Sequence, residues 1–354
     1  MRSWLIYGAT GYTGQLIAEE AAKRGLKPTL AGRNPSKVSA LADRLGLPWR
    51  AFPLDDPAAL REGLREVAAV LHCAGPFAET APPMLQACLA EGVHYLDITG
   101  EIEVFRLLHR HDGAARQRGI ALLPGVGFDV VPSDCLAALL ARRLPGAVRL
   151  TLAFEGEGGT SPGTAKTAFL GLLRGAMVRR NGALERVPIA AKTRYFVRDG
   201  EQRLAALVPW GDVFTGFFST GIPNIEVYMV LSPRALRRLR RLRRIAPVLG
   251  LPPLKRWLLK RIEKKTAGPD ERVRAQSRAW LWGEVSDEAG RVERAAMSTP
   301  NGYELTAEAA LAAVSRVLAA ETPLAGFLTP SRAFGADFAL SLPGVEWRAD
   351  WPPS

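Results

Sequence analysis

Cysteine, histidine and long apolar runs are all scarce in this chain. Three cysteines in 354 residues, Cys73, Cys88 and Cys135, are too few and too scattered for a disulfide framework. With four histidines and no CxxC or Cys/His spacing, no metal site is expected. Reduced thiols point to a cytoplasmic setting. The chain opens Met1-Arg2 and runs directly into an apolar strand, so no signal peptide is expected. No uncharged apolar stretch approaches the ~18 residues needed to span a bilayer. The longest, Val213–Ile225, has 13 residues with two glycines and a proline. Disorder is excluded as well, because 47% hydrophobic and 23% charged residues is ordinary globular usage.

What the chain has in excess is positive charge, a net +12. That charge is confined to one place. Residues 234–265 hold 13 Lys and Arg and a single acid, Glu263, which is also a net +12. The rest of the chain carries 34 residues of each sign and is neutral. The excess is therefore a property of one segment and not of the fold.

The length suggests two domains. Over the first 125 residues, short apolar runs alternate with helical patterns. Ser3–Tyr7, Pro28–Ala31, Trp49–Pro53, Val67–Cys73, Val93–Ile98 and Ile120–Leu123 are predicted strands. Gly14–Arg24, Pro35–Leu45, a run from about Pro57, Ala81–Glu91 and Glu103–Arg118 are predicted helices. This rhythm implies a Rossmann-like, doubly wound parallel sheet. Beyond it, helices are expected at Ser133–Arg143 and Pro162–Arg180, and strands at Val148–Glu155, Tyr195–Val197, Arg203–Val208 and Ile225–Leu231. A hairpin is expected around Asp287–Gly290 and an alanine-rich helix at Tyr303–Ala320. The fold class is α/β, with a second α+β domain built on a mixed or antiparallel sheet. The expected divisions are 1–130 for the dinucleotide domain and 131–302 for a substrate domain. Residues 303–354 are expected to return to the first domain.

The sharpest motif is Gly8-Ala9-Thr10-Gly11-Tyr12-Thr13-Gly14, between the first strand and the first helix. There, one glycine permits a tight turn, one lets backbone N–H groups approach a pyrophosphate, and one lets helix and strand pack closely. An NAD site would carry Asp or Glu at the end of the second strand; this chain has Ala31-Gly32-Arg33-Asn34. A guanidinium at Arg33 pairs bidentately with a 2′-phosphate, so NADP(H) is the expected cofactor. Asp55 either touches the adenine or is a turn acid. Ala74, Gly75 and Pro76 would let the cofactor cross the sheet edge.

Proton chemistry should lie at the carboxyl ends of the later strands. Tyr95-Leu96-Asp97-Ile98-Thr99-Gly100-Glu101 follows the fifth, and Gly125 to Asp134 follows the sixth. Thr99 and Ser133 could be helix caps, and Asp134 could oppose a helix dipole. Asp129, in a Gly-Phe-Asp turn, is less easily explained by capping. Asp129, Tyr95 and Asp97 are the catalytic candidates, with Glu101 alongside. Gly158–Thr164, ahead of a helix, is either an anion site or an N-capped loop. Phe214, Phe217 and Phe218 suit an acyl channel or ordinary core.

On these residues the chain resembles the saccharopine dehydrogenase-like NADP-binding oxidoreductases, in particular the trans-acting enoyl reductases. The similar stretches are Gly8–Gly14, Ala31–Asn34, Cys73–Phe77, Tyr95–Glu101 and Gly127–Asp134. Others are Gly158–Thr160, Gly268-Pro269, Gly302-Tyr303 with Thr306, and Leu328–Pro330. The resemblance implies reduction of an unsaturated acyl group or a related C=C or C=N bond, on a substrate lying between the domains. The alternatives are a saccharopine-type C–N reductase, or a redox sensor that holds NADPH without turnover.

The basic segment reads as two amphipathic helices broken by Pro247 and Pro252-Pro253, with Leu236, Leu239, Leu242 and Ile245 opposite the arginines. With Trp257, the pattern suits a peripheral membrane surface, an acyl carrier protein, or a helix merely packed on its own domain. Nucleic acid is not expected, because no nucleic-acid motif or aromatic interleaving is present. A homodimer is left open.

Overall fold

The computed structural model describes residues 3–348, which divide into two units: the residues up to Val131 with Tyr303–Phe338, and Pro132–Gly302 with the residues from Ala339.

In the first unit, strands and helices alternate. They are β1 (Trp4–Tyr7), α1 (Tyr12–Lys23), β2 (Thr29–Gly32), α2 (Pro35–Leu45), β3 (Trp49–Ala51), α3 (Pro57–Gly63), β4 (Ala69–His72) and α4 (Phe77–Glu91). Then come β5 (His94–Asp97), α5 (Ile102–Arg110), α6 (Asp112–Arg118) and β6 (Ala121–Leu123). The second unit contributes α7 (Val131–Arg143), β7 (Arg149–Gly156), α8 (Pro162–Arg174), β8 (Ala176–Arg180), β9 (Ala183–Val187), β10 (Thr193–Arg198), β11 (Glu201–Leu207) and α9 (Asp212–Thr220). It continues with β12 (Asn224–Val230), α10 (Pro233–Arg244), α11 (Ala246–Leu249), α12 (Pro252–Lys265), α13 (Glu271–Gln276), β13 (Arg278–Ser286) and β14 (Val292–Pro300). The chain closes with α14 (Gly302–Ala319), β15 (Gly326–Phe327), α15 (Pro330–Phe334) and β16 (Glu346–Arg348).

The first sheet is parallel in the order β15-β6-β5-β4-β1-β2-β3. Every residue of β1, β2 and β4 is buried, as a parallel sheet covered on both faces requires. The order turns back on itself between β1 and β4, the crevice where such sheets bind ligands. The second sheet is mixed, in the order β10-β11-β12-β7-β13-β14-β16, with β12 and β7 parallel and the rest of that path antiparallel. Its core gathers Phe196, Tyr228 and Trp282.

Three expectations change. Glu103–Arg118 is not one helix. His111 leaves helical geometry, and the Asp112 carboxylate turns to accept from the Phe327 N–H at 2.7 Å, tying β15 to the sheet. Pro162–Arg180 stops being helical at Arg174. Asn181 and Gly182 both take positive φ and turn β8 into β9, a hairpin signal that the helical reading passed over. The uncharged run Val213–Ile225, for which no element was expected before Ile225, forms most of α9, and Ile225 lies in β12 as expected. Of the last segment, α14 and β15 belong to the first unit, but β16 pairs with β14 and extends the second sheet. The backbone groups on the open side of β14 accept that strand. Among the described residues, no helix is long and apolar enough to cross a membrane.

Candidate functional site

The glycine motif folds as a turn held by backbone. Gly8 and Ala9 donate to the Ala31 carbonyl at 2.8 and 3.1 Å, and Gly11 donates back to the Gly8 carbonyl at 3.0 Å. Gly11 caps α1 without any side chain, so backbone alone forms the rim of that helix end. Gly8 sits at φ +82°, and a Cβ there would lie 2.7 Å from the Ala74 nitrogen. The turn after β1 is therefore pressed against the turn after β4, which brings Ala74, Gly75 and Pro76 beside Gly8–Gly14. Thr10 is exposed at the rim, Tyr12 and Thr13 are half-buried, and Ala9 and Gly14 are buried.

Arg33 is exposed at the end of β2, and Asp55 is exposed just beyond β3. Both charges lie close enough to act on the phenol of Tyr7. Asn34 accepts from the Lys37 N–H at 3.0 Å, capping α2. The cradle fits a dinucleotide. A side chain at residue 8 would push the Ala74 turn away from it, and the Arg33 guanidinium is exposed at the end of β2. Thr80 holds the β4 turn in shape by donating to the Ala74 carbonyl at 2.6 Å, and His72 Nε2 lies 2.9 Å from the same hydroxyl. Burial lowers the His72 pKa to about 3, so its ring stays neutral among Tyr7, Phe77 and Tyr95. Sequence reasoning passed over His72 and Thr80; a histidine closing an otherwise apolar strand was the available signal.

The carboxyl ends of β5 and β6 hold four acidic or phenolic candidates in different states. Tyr95 and Asp97 are fully buried. The Tyr95 hydroxyl donates to Asp97 Oδ2 at 2.7 Å, while Asp97 Oδ1 accepts the N–H groups of Thr99 and Gly125 at 2.9 Å each. Burial raises the Asp97 pKa to about 6, against the pull of those three donors. Glu101 is an N-terminal cap. Its two oxygens take the Phe77 and Ala78 N–H groups at the start of α4, at 3.0 and 3.1 Å. Thr99 accepts from the Glu101 N–H at 3.0 Å.

Asp129 differs from all of these. It is half-buried, and among the described residues its carboxyl has no hydrogen-bond partner or ion pair. Its Oδ2 occupies the space over Gly100, 2.8 Å from where a Cβ on that residue would be. Burial alone pushes its pKa up to about 7. The turn that carries it is pinned by Thr306 of α14, whose hydroxyl accepts from the Phe128 N–H at 3.0 Å. The structure thus brings Tyr95 and Asp97 together as a closed pair, and sets Asp129 alone on the neighbouring loop.

In the second unit, Ser133 of α7 donates to Asp212 of α9 at 2.9 Å, and Ser219 of α9 donates to Asp134 of α7. Both residues bind helix to helix. Ser161 caps α8 through the Thr164 N–H at 3.2 Å. Phe214 stacks on Phe218 at 4.8 Å, and the Arg179 guanidinium lies 4.2 Å from the Phe217 ring centre. His94 Nδ1 accepts from the Ala121 N–H at 2.9 Å, a strand-edge role. Among the described residues, no group of three or more His, Cys, Asp or Glu is placed to hold a metal ion.

Residues 4–121 match the saccharopine dehydrogenase NADP binding domain. The stretch contains the whole glycine turn and Arg33, so the cofactor of this domain is NADP(H). The chain is 29% identical to a saccharopine dehydrogenase-like oxidoreductase of Bos taurus over 150 residues, covering 37% of this chain and 35% of that protein. It is 33% identical to a trans-acting enoyl reductase of Mycobacterium ulcerans, also over 150 residues, covering 39% of this chain and 35% of that protein. The matched part thus spans about a third of the length of these relatives. The saccharopine dehydrogenase (L-Glu forming) of Saccharomyces cerevisiae superposes with a TM-score of 0.66 at 13% identity, covering 99% of this chain and 100% of that one, which shows the shared fold.

Proposed function

We propose that this protein is an NADP(H)-dependent oxidoreductase that reduces an unsaturated, apolar acyl group or a related C=C or C=N bond. NADPH, when bound, supplies the hydride. The Gly8–Gly14 turn would hold the pyrophosphate and Arg33 the 2′-phosphate, with Ala74–Pro76 beside the path across the sheet edge. Reduction of a double bond also needs a proton, delivered to the α-carbon of an enoyl group or to the nitrogen of an imine.

The observation that carries this reading is Asp129. Its carboxyl stands at the carboxyl edge of the parallel sheet, without a hydrogen-bond partner among the described residues, and a pKa of about 7 keeps it substantially protonated near neutrality. As the acid, it gives its proton to substrate and is recharged from water, to which it is partly accessible. Tyr95 and Asp97 serve this reading as positioning residues: Tyr95 donates to Asp97, and Asp97 accepts from the Thr99 and Gly125 N–H groups, tying the loop after β5 to the loop after β6 that carries Asp129. The basic segment adds an anionic partner at the level of charge. The three free thiols accord with a reduced, cytoplasmic setting.

The test is NADPH oxidation against panels of enoyl thioesters and cyclic imines. The wild type should turn over at least one class, with a rate that falls above about pH 7 as Asp129 loses its proton. Asp129→Asn should reduce kcat by about 10²–10⁴-fold and leave NADPH affinity unchanged. Tight NADPH binding with no turnover of any panel member would favour the sensor. An undiminished Asp129→Asn enzyme would remove the proposed acid.

A further inference from the structure

The segment from α10 to α12 packs against α8 of the second unit through half-buried leucines and leaves its other side in water. Leu236 is its one buried residue, packed with Ala190 and Ala206, and neither α11 nor α12 buries any. Arg243 donates to the Ile189 carbonyl at 2.8 Å, and Lys166 of α8 pairs with Glu263 at 2.9 Å. Everything else that is chemically distinctive faces water. Ile245, Val248, Leu251 and Trp257 are 48%, 55%, 53% and 52% exposed. Ile245 lies just before α11, Val248 within it and Leu251 just before α12, so three large exposed apolar side chains fall within seven residues.

Around these apolar side chains stand the 13 basic residues. All but Arg243 and Lys255 are exposed, and among the described residues none is ion-paired. An ordinary solvated helix balances its charges with acids at i±3 or i±4, and α1 and α6 do so. This segment does not. Large apolar side chains left in water within an unbalanced cationic field have one common complement, a surface that is anionic outside and apolar just beneath. Nucleic acid would satisfy the charge and leave the aliphatic residues wet. An acidic protein would more naturally present pairing carboxylates to a flatter, better-packed patch. Trp257, with the Arg261 guanidinium 5.1 Å from its ring centre, is the pairing of an interfacial anchor.

We propose that α10–α12 dock the protein on an anionic lipid bilayer, with Ile245, Val248, Leu251 and Trp257 entering the headgroup layer and the flanking Arg and Lys side chains neutralising lipid phosphates. The inference is independent of the hydride reading, since NADPH-dependent turnover reports on one and vesicle binding on the other.

The experiment is co-sedimentation of the full chain with phosphatidylcholine vesicles and with phosphatidylcholine–phosphatidylserine vesicles, at low and high salt. Binding should require phosphatidylserine and weaken with salt. Each near-surface cation strengthens attachment on the order of fivefold. The quadruple variant R240Q/R241Q/R244Q/K260Q should therefore bind anionic vesicles at least about tenfold more weakly. The exposed-residue variant V248S/L251S/W257S should lose binding while keeping its charge. A blue shift of tryptophan emission on anionic vesicles should disappear in Trp257→Phe. Both multiple variants change exposed residues, and unaltered NADPH affinity checks that they are folded. Equal binding to neutral and anionic vesicles would overturn the proposal. So would no binding to either, or wild-type binding by both variants. Binding to an acidic carrier protein or to RNA without vesicle binding would overturn it in favour of those partners.

Discussion

Replacing Asp129 with Asn should stabilise the protein at alkaline pH while impairing the chemistry. The sign follows from the pKa. An aspartate in the unfolded chain titrates near 4, whereas burial pushes the folded carboxyl up to about 7. Between those values the folded state holds a proton that the unfolded state has released. The stability contributed by the protonated form is fully present below about pH 4 and is lost as pH rises through about 7. At 1.36 kcal/mol per unit, the whole interval corresponds to about 4 kcal/mol, an upper bound for a group that water partly reaches. A realistic penalty is about 1–2 kcal/mol. Asparagine has nearly the same shape over Gly100 and never ionises, so the variant should escape that penalty. The assay is urea unfolding of wild type and Asp129→Asn at about pH 5 and about pH 8. The two should be similar at the lower pH, with the variant about 1–2 kcal/mol more stable at the higher. Asp97, which also titrates above its ordinary range, is present in both proteins and cancels in the difference. A difference that does not change with pH would refute the assignment of a raised pKa to Asp129.

Arg33→Ala should weaken NADPH binding by about 10–100-fold and NADH binding little, because only the 2′-phosphate loses a charged partner; titration calorimetry with both nucleotides checks this. Tyr95→Phe removes the hydroxyl that donates to Asp97 Oδ2 and should destabilise the first unit by about 1–3 kcal/mol. The loss should be larger at about pH 8 than at about pH 4, since the missing bond supports the ionised carboxylate more strongly than the protonated one; thermal melts at both pH values check it.

The parallel architecture was legible because burial on both faces leaves a direct trace, unbroken apolar strands spaced by helices. The glycine turn was legible because its backbone demands leave few residue choices. The proposed role of Arg33 rests on an acid that is missing at the end of β2. The roles of the acidic residues were not. Glu101 and Asp129 look alike in sequence, yet one oxygen pair meets the α4 N–H groups and the other carboxyl meets none among the described residues. Only the third dimension distributes those donors. The β8–β9 hairpin was misread because a helical apolar period runs up to it, and Asn181-Gly182 outweighs that period only if the turn chemistry is considered first. β16 was unreadable because a three-residue strand takes its identity from the edge it joins.

The contact between Asp129 and Gly100 constrains how this edge of the molecule could be altered. The loop after β5 forgoes a side chain at the point where the loop after β6 stations one. The two loops therefore share a single parcel of space. A methyl group at position 100 would evict the carboxyl while leaving the dinucleotide cradle, built from other loops, untouched. Such a chain could still hold its nucleotide without an acid in place. If this edge holds the proposed acid, a change in what it reacts with must revise both loops together, whereas the proposed determinant of nucleotide preference, residue 33, lies on neither.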